Sequence, residues 1–278
     1  MRTNRSATSG SISVTVMDTA LLELCDANHA ESCREVARWT AQGEICESGG
    51  LLLAAPVTRA PPFQYCLRVG PGQQPTPAEL LARADAFFFA RDRGYVVNLR
   101  AHADADLEAA AGARGLGELV APLPVMVLER QPGGAAPGAV RLVDSAAGIA
   151  DFAAVAAQAY APLGLAPSVT ARIMGEPARM TGPGRRYAVA YQDGRPAAAA
   201  MLLLSHGIAG LYWVGTVPEA RGRGLAEAVT RTLCEEAFAA GAPLVVLQAS
   251  PQGRPVYARV GFREVSSYRR LLVPRPSR

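Results

Sequence analysis

The sequence predicts an α/β protein in which short apolar strands alternate with helices, in two halves of similar element order. Three observations carry that prediction. First, an apolar run from Leu211 to Val217 is broken by Pro218 and followed by Gly222 and Gly224, after which residues 227–240 carry helix formers at helical spacing; this reads as strand, Gly-rich turn, helix. Second, the stretch from Gln131 to Gly138 is rich in turn formers, lacks periodicity and divides the 278-residue chain almost in half. Third, aligning Arg100-Ala101 with Gln248-Ala249 lays the predicted helix 78–91 on 226–239 and the strand 95–99 on 243–247, and a two-residue adjustment then brings Ala113–Leu116 onto Arg259–Phe262. Identity between the halves is weak, but their element order agrees. The expected organisation is a disordered tail at 1–13, a first domain at 14–130, a linker at 131–138 and a second domain at 139–278.

Taken in order, the first half opens with a helix capped by Asp18, whose apolar positions Ala20, Leu21, Leu24 and Cys25 recur every three or four residues, and a second helical stretch over 31–40. Strands are predicted at 51–55 and 65–69. Thr76, Pro77 and Glu79 form a capping box with proline at the first helical position, so a helix starts there and runs to about Arg91. A strand at 95–99, a helix at 104–113 and a strand at 125–128 complete the half. The second half reads as strand 140–143, helices between Gly148 and Met174, and strand 187–191, followed by a Gln192-Asp-Gly-Arg turn into strand 197–204. The Gly-rich turn and its helix come next, then strand 244–249, a short helix around Tyr257 and a last strand at 267–273.

Composition narrows the function classes. Half of the residues are hydrophobic, enough for a large core. All 28 basic residues are arginine, a mark of a G+C-rich genome, and the net charge of +4 is spread along the chain, which argues against a dedicated nucleic-acid surface. The five cysteines are odd in number, without C-x-x-C spacing or a nearby histidine set, so they read as core thiols in a reducing compartment, with no metal site. No apolar stretch approaches the roughly 18 residues of a membrane span, and residues 1–13 lack the apolar core of a signal peptide. A cytoplasmic protein is expected. His206 reads as an exposed turn residue, and His29 and His102 as surface groups.

The Gly-rich turn leaves the first N–H groups of its helix unpaired at the positive end of the helix dipole, which suits an anion and most often a phosphate. Arg221, Gly224 and Ala226 also fill the pattern Arg/Gln-x-x-Gly-x-Gly/Ala, and Tyr257 is followed by Gly261-Phe262. In these two motifs and in element order from Val140 to Val273, the C-terminal half resembles the GCN5-related N-acetyltransferase (GNAT) superfamily. Tandem relatives with one degenerate half, the mycothiol synthase type among them, share the layout.

The resemblance implies two GNAT-like halves, each a mixed, mostly antiparallel sheet flanked by helices, with acetyl-CoA as co-substrate. Backbone N–H groups of Gly222, Arg223, Gly224, Leu225 and Ala226 are then expected to hold the pyrophosphate, with Arg221 and Arg223 adding charge; Arg223 reads equally well as a solvated loop arginine. The strand before the turn is expected to splay near Gly215, freeing main-chain groups of Val214, Gly215 and Thr216 for the pantetheine arm, although Gly215 alone reads as a bulge or a close packing contact. Tyr257 corresponds to the general acid that protonates the leaving thiolate, its alternative being a core tyrosine, and Ser250 stands where relatives contact the cofactor arm. The strand that carries a Glu in many relatives is apolar here apart from Gln248, so the base is left open among Glu219, another carboxylate and a water chain.

The first half lacks the turn. Thr76 aligns with Gly224, Pro75 and Pro77 remove two N–H donors, and Ala111 aligns with Tyr257, so this half is not expected to bind coenzyme A in the usual way. The expected activity is direct transfer of an acetyl group to a primary amine of a small molecule, by a monomer or homodimer without nucleic-acid or membrane partners. A non-catalytic acyl-CoA-binding module, or an enzyme with a different acyl donor or an oxygen acceptor, are the alternatives.

Overall fold

In the computed structural model, which describes residues 16–133 and 139–276, all strands join one sheet of 11, in the order β1-β2-β3-β4-β11-β5-β10-β9-β8-β7-β6. The predicted tail at 1–13 and residues 134–138 of the predicted linker lie outside the described residues. The first half comprises α1 (Val16–Arg38), β1 (Glu44–Ser48), β2 (Leu51–Ala55), β3 (Tyr65–Arg68), α2 (Pro77–Phe89), β4 (Tyr95–Arg100), α3 (Ala105–Ala113) and β5 (Gly117–Leu128). The second comprises β6 (Val140–Val143), α4 (Ala146–Tyr160), α5 (Pro167–Ile173), α6 (Pro177–Met180), β7 (Arg185–Gln192), β8 (Arg195–Ser205), β9 (Ile208–Thr216), α7 (Leu225–Ala239), β10 (Val245–Gln248), α8 (Arg254–Val260) and β11 (Arg263–Val273).

The two halves do not form separate sheets. They exchange their last strands: β5 of the first half pairs with β10 of the second, β11 of the second pairs with β4 of the first, and β11 and β5 run antiparallel to each other at the centre. The sheet order is therefore pseudo-symmetric about that central pair. The parallel pair β3/β4 mirrors the parallel pair β9/β10, and α2 and α3 mirror α7 and α8.

Helices cover both faces. On one face α1 and α4 to α6 share a continuous core with inward residues of β2, β7 and β8, including Trp39, Phe152, Ile173 and Met201. On the other, α2 and α3 cover the first half through Leu80, Phe88 and Leu107, while α7 and α8 cover the second through Val229, Leu233 and Val260. At about 25 cal/mol per Å² of apolar surface, these shared layers bind the halves into one unit far more strongly than any single polar contact.

Local signals were sound where chemistry is local. Thr76 accepts from the Glu79 N–H and Glu79 reaches back to the Thr76 N–H, completing the predicted capping box. Asp193 and Gly194 both take positive φ in the β7–β8 hairpin, as do His206 and Gly207 between β8 and β9. Elsewhere the structure differs. One helix, α1, replaces the two predicted over 18–40, because nothing in that stretch breaks it. The polar strand β1 has no apolar alternation to announce it, and its exposed edge explains why. His29 is half-buried, its ring stacked on Tyr268 with centroids 4.8 Å apart, and His102 is tied to Asp26 and Ser266; neither is a free surface group.

Candidate active site

The site is built where β9 leaves β10. These parallel strands pair only from Ala209 to Leu211, opposite Val245 to Leu247, and then diverge. The splay thus begins four residues before Gly215, where it was expected. A bulge follows at once: Met201 pairs with Tyr212 and Ala199 with Gly215, leaving two residues of β9 opposite the single Ala200, and Trp213 takes φ of 54°. An extra residue in one strand forces the bend that opens the gap. Buried atoms without partners lie on both strands flanking it, Thr216 Oγ1 on β9 and Gln248 Nε2 on β10. A buried polar atom left unpaired costs about 1–3 kcal/mol, so such a pair beside a gap suits a ligand carrying amide groups.

The C-terminal turn of α4 holds the bulge in place. Tyr160 donates its hydroxyl to the Val214 carbonyl at 3.1 Å and packs edge-on against Trp213, which stacks in turn on Phe63 of the first half. A Cβ on Gly215 would stand 2.7 Å from the Ala159 Cβ, so the glycine is required for α4 to approach. Gly215 is thus a close packing contact beside a bulge centred two residues earlier. Arg221 donates to the Ala159 carbonyl at 3.2 Å and, more weakly, to the Thr216 carbonyl, so its guanidinium ties the Gly-rich turn to both α4 and β9. Three separate parts of the site meet at Ala159-Tyr160.

Beyond β9, a short 3-10 turn at Pro218–Ala220 leads into the Gly-rich segment. Gly222 and Gly224 both take φ of 76°, a left-handed conformation that costs other residues roughly 1–2 kcal/mol, and Gly224 caps α7. Among the described residues, the backbone N–H groups of Gly222 to Ala226 have no acceptor, and the first bond of the following helix runs from Ala228 to Gly224. They lie at the positive end of the α7 dipole, where an anion is favoured. Arg223 is exposed there, with no hydrogen bond or ion pair among the described residues. This donor set fits a pyrophosphate, and the unpaired groups along the gap fit the arm of coenzyme A.

Tyr257 lies on α8, the helix that follows β10. Its ring is buried, packs edge-on to Phe262 and abuts Gly253. Burial pushes its phenol well above the ordinary tyrosine value, with the nearby Cys234 thiol adding to the shift, so it keeps its proton at neutral pH. Its hydroxyl has no hydrogen-bond partner among the described residues. The Tyr160 phenol, raised by burial and then by Tyr257, belongs to the same neighbourhood. Ser250 takes part in starting α8: its Oγ accepts from the Gly253 N–H at 3.1 Å, which leaves its own O–H free to donate.

No acid or histidine stands on β9 or β10, and Glu219 is exposed on the 3-10 turn without a hydrogen bond among the described residues. Sequence reasoning missed Trp213 and Tyr160. Neither lies in a motif, and their contacts join positions 53 or more residues apart. Among the described residues no group of acids, histidines or cysteines could hold a metal ion, and no helix is long and apolar enough to cross a membrane.

Residues 165–262 match the model of the acetyltransferase (GNAT) family. No curated protein matches the sequence. Among solved structures, a GCN5-related N-acetyltransferase from Kribbella flavida is similar over 90% of this chain and 96% of its own, at 20% identity and a TM-score of 0.67. A tandem GNAT protein from the clavulanic acid biosynthesis pathway is similar over 94% and 96%, at 18% identity and 0.56. A GCN5-related N-acetyltransferase from Sphaerobacter thermophilus covers 93% of each chain, at 18% and 0.56. These likenesses span both halves and place the whole chain in one fold.

Proposed function

We propose that the protein, whose residues 165–262 match the model of the acetyltransferase (GNAT) family, transfers an acetyl group from acetyl-CoA directly to a primary amine of a small molecule, at one site formed by β9, β10, α7 and α8. The observation that carries this reading is the gap opened by the Trp213 bulge, with its orphaned Thr216 and Gln248 atoms, ending beneath the unpaired N–H groups of Gly222 to Ala226.

When bound, acetyl-CoA supplies the activated thioester. The N–H groups of residues 222–226 hold its pyrophosphate, with Arg223 screening the charge and Arg221 keeping the turn in place. Main-chain groups of Val214, Gly215 and Thr216 pair with the amide-bearing arm as a neighbouring strand would, and the free Ser250 hydroxyl donates to the same arm. A main-chain N–H of the bulged segment faces the carbonyl oxygen as it gains charge; such preorganised donors supply about 3–4 kcal/mol each in acyl transfer. Tyr257, kept protonated by burial, gives its proton to the departing thiolate. The amine loses its proton by way of water, since the strands flanking the gap carry no base. Four buried free cysteines, Cys25, Cys33, Cys66 and Cys234, agree with a reducing, cytoplasmic setting.

The test is thiol release from acetyl-CoA with a panel of small amines, followed by mass spectrometry of the product. The reading predicts an N-acetyl product with the wild type. Binding of acetyl-CoA without any acetylated product would favour a non-catalytic acyl-CoA module.

A further inference from the structure

A cavity of about 380 Å³ lies between the halves, bounded on one side by residues Val57 to Ala60 and on the other by Ser168, Val169 and Arg172 of α5. That volume falls within the range of small-molecule sites. Its position relates it to the transfer site. Ala60 and Val169, which line the cavity, pack against the same core as Phe63, Trp213 and Tyr160, the aromatic group beside the bulge. The first half contributes the outer lip, so the cavity exists only because the halves are joined.

Its charge is one-sided. No carboxylate lines it. Arg172 is exposed and makes no hydrogen bond or ion pair among the described residues. Arg59 pairs with Asp92, but Arg275 grips the same carboxylate, so two guanidiniums share one acid and a net positive charge stays at the lip. Arg93, whose head bonds the Pro56 carbonyl, is held below its ordinary pKa by burial, with Arg91 and Arg59 adding to the shift as like charges against the opposing pull of Glu44, itself paired with Arg91. Such crowding is relieved by an anion. The pyrophosphate site has its own donors and its own free arginine, Arg223, so this second cluster is not needed there.

We propose that this cavity is the acceptor pocket and that its two arginines, Arg59 and Arg172, select an amine bearing a carboxylate or phosphate group. Guanidiniums bind either oxyanion through paired N–H donors, and in this position they hold the anionic end at the lip while the amine points past Trp213 toward the bulge. The proposal rests on the acetyltransferase reading of the adjoining site. It also gives the first half, which lacks the cofactor turn, a role as a specificity wall.

The experiment uses the full chain and matched acceptor pairs: amino acids against their amides, and aminoalkyl phosphates against the corresponding amino alcohols. Acetyl-CoA binding is first measured by calorimetry on the wild type and on Arg172→Glu, Arg172→Lys and Arg59→Glu. The proposal expects unchanged acetyl-CoA affinity in all four and turnover confined to the anionic member of a pair. It further expects at least a tenfold loss of kcat/KM for that member in Arg172→Glu, carried by KM, with Arg172→Lys restoring part of it. Equal or better turnover of the neutral member overturns the proposal, as does a tenfold loss of acetyl-CoA affinity in Arg172→Glu, which would assign the arginine to the cofactor's own phosphate. If acetyl-CoA binds and every pair is silent, the acceptor proposal falls while the cofactor site stands. If acetyl-CoA does not bind the wild type, the underlying reading falls instead.

Discussion

Between β3 and β4 the chain packs a cluster of ions that leaves Arg68 Nε unpaired, whereas between β9 and β10 no ion pair forms among the described residues and Thr216 Oγ1 and Gln248 Nε2 stand without partners. Both are parallel pairs that part after two or three residues, at mirrored places in the sheet. In the first half Arg68, 5% exposed, reaches across to Asp104, Asp106 and the Pro75 carbonyl, and Asp104 takes a two-pronged grip from Arg100, which also contacts Asp26 of α1. What remains there is a cavity of about 10 Å³, room for one water. In the second half no ion pair joins β9 to β10 among the described residues, and Thr216 Oγ1 and Gln248 Nε2 keep no hydrogen-bond partner. The same joint is thus self-filled in one copy and open for a ligand in the other, and the Gly-rich turn survives only beside the open one.

The largest effect that sharpens this contrast is on stability. Asp104→Ala takes the fully buried carboxylate from both Arg68, which keeps Asp106, and Arg100, which keeps Asp26, and loss of one partner from a buried ion pair costs about 3–5 kcal/mol. Urea unfolding is expected to show that loss, while calorimetry at a temperature where the variant is folded shows unchanged acetyl-CoA affinity. An affinity change would mean that the two gaps are not independent. The pH dependence follows the same cluster. Burial alone would raise the Asp104 carboxyl, but its hydrogen bonds and proximity to Arg100 outweigh that and lower it below the usual carboxylate value. Its contribution is therefore present above the unfolded Asp value of about 3.9 and is lost as pH falls through the lower folded value. In Asp104→Asn the slope of stability against pH in that acid range is expected to flatten.

Next in size is Tyr257→Phe, expected to lower kcat by about 10²-fold through loss of the proton donor, with acetyl-CoA affinity held. Ala111 holds the corresponding place in the first half, so Ala111→Tyr should restore nothing. An undiminished kcat in Tyr257→Phe would return Tyr257 to the role of a core side chain. Tyr160→Phe removes the bond to the Val214 carbonyl, and the predicted change is about fivefold in kcat, the equivalent of one ordinary hydrogen bond of ~1 kcal/mol. Smallest is Arg223→Ala, for which an acetyl-CoA Kd two- to threefold weaker is expected, as for exposed charge near a helix end at ~0.3–1 kcal/mol. No change would leave Arg223 a solvated loop residue.

What the sequence disclosed follows from the range of the forces involved. The turn from Val217 to Ala226 was legible because left-handed glycines and a helix start are encoded within a few residues, and the capping box at Thr76 for the same reason. The exchange of β5 and β11 was not, since each strand's pattern states that it is a strand but not which edge it joins. The repeat alignment found the mirrored elements yet could not show that they share one sheet. Trp213 carries no glycine or proline to mark its positive φ; the conformation is imposed by Tyr160 and Phe63 from distant segments. His29 was misread because a lone histidine in α1 does not reveal that Tyr268, far along the chain, stacks on its ring.

The central claim is that only the β9/β10 gap accepts the cofactor. Calorimetric titration of the wild-type chain with acetyl-CoA tests it most directly. One molecule bound per chain, with binding abolished in Gly224→Val, is the predicted result. Two molecules per chain, or one whose affinity is indifferent to Gly224→Val, would contradict it.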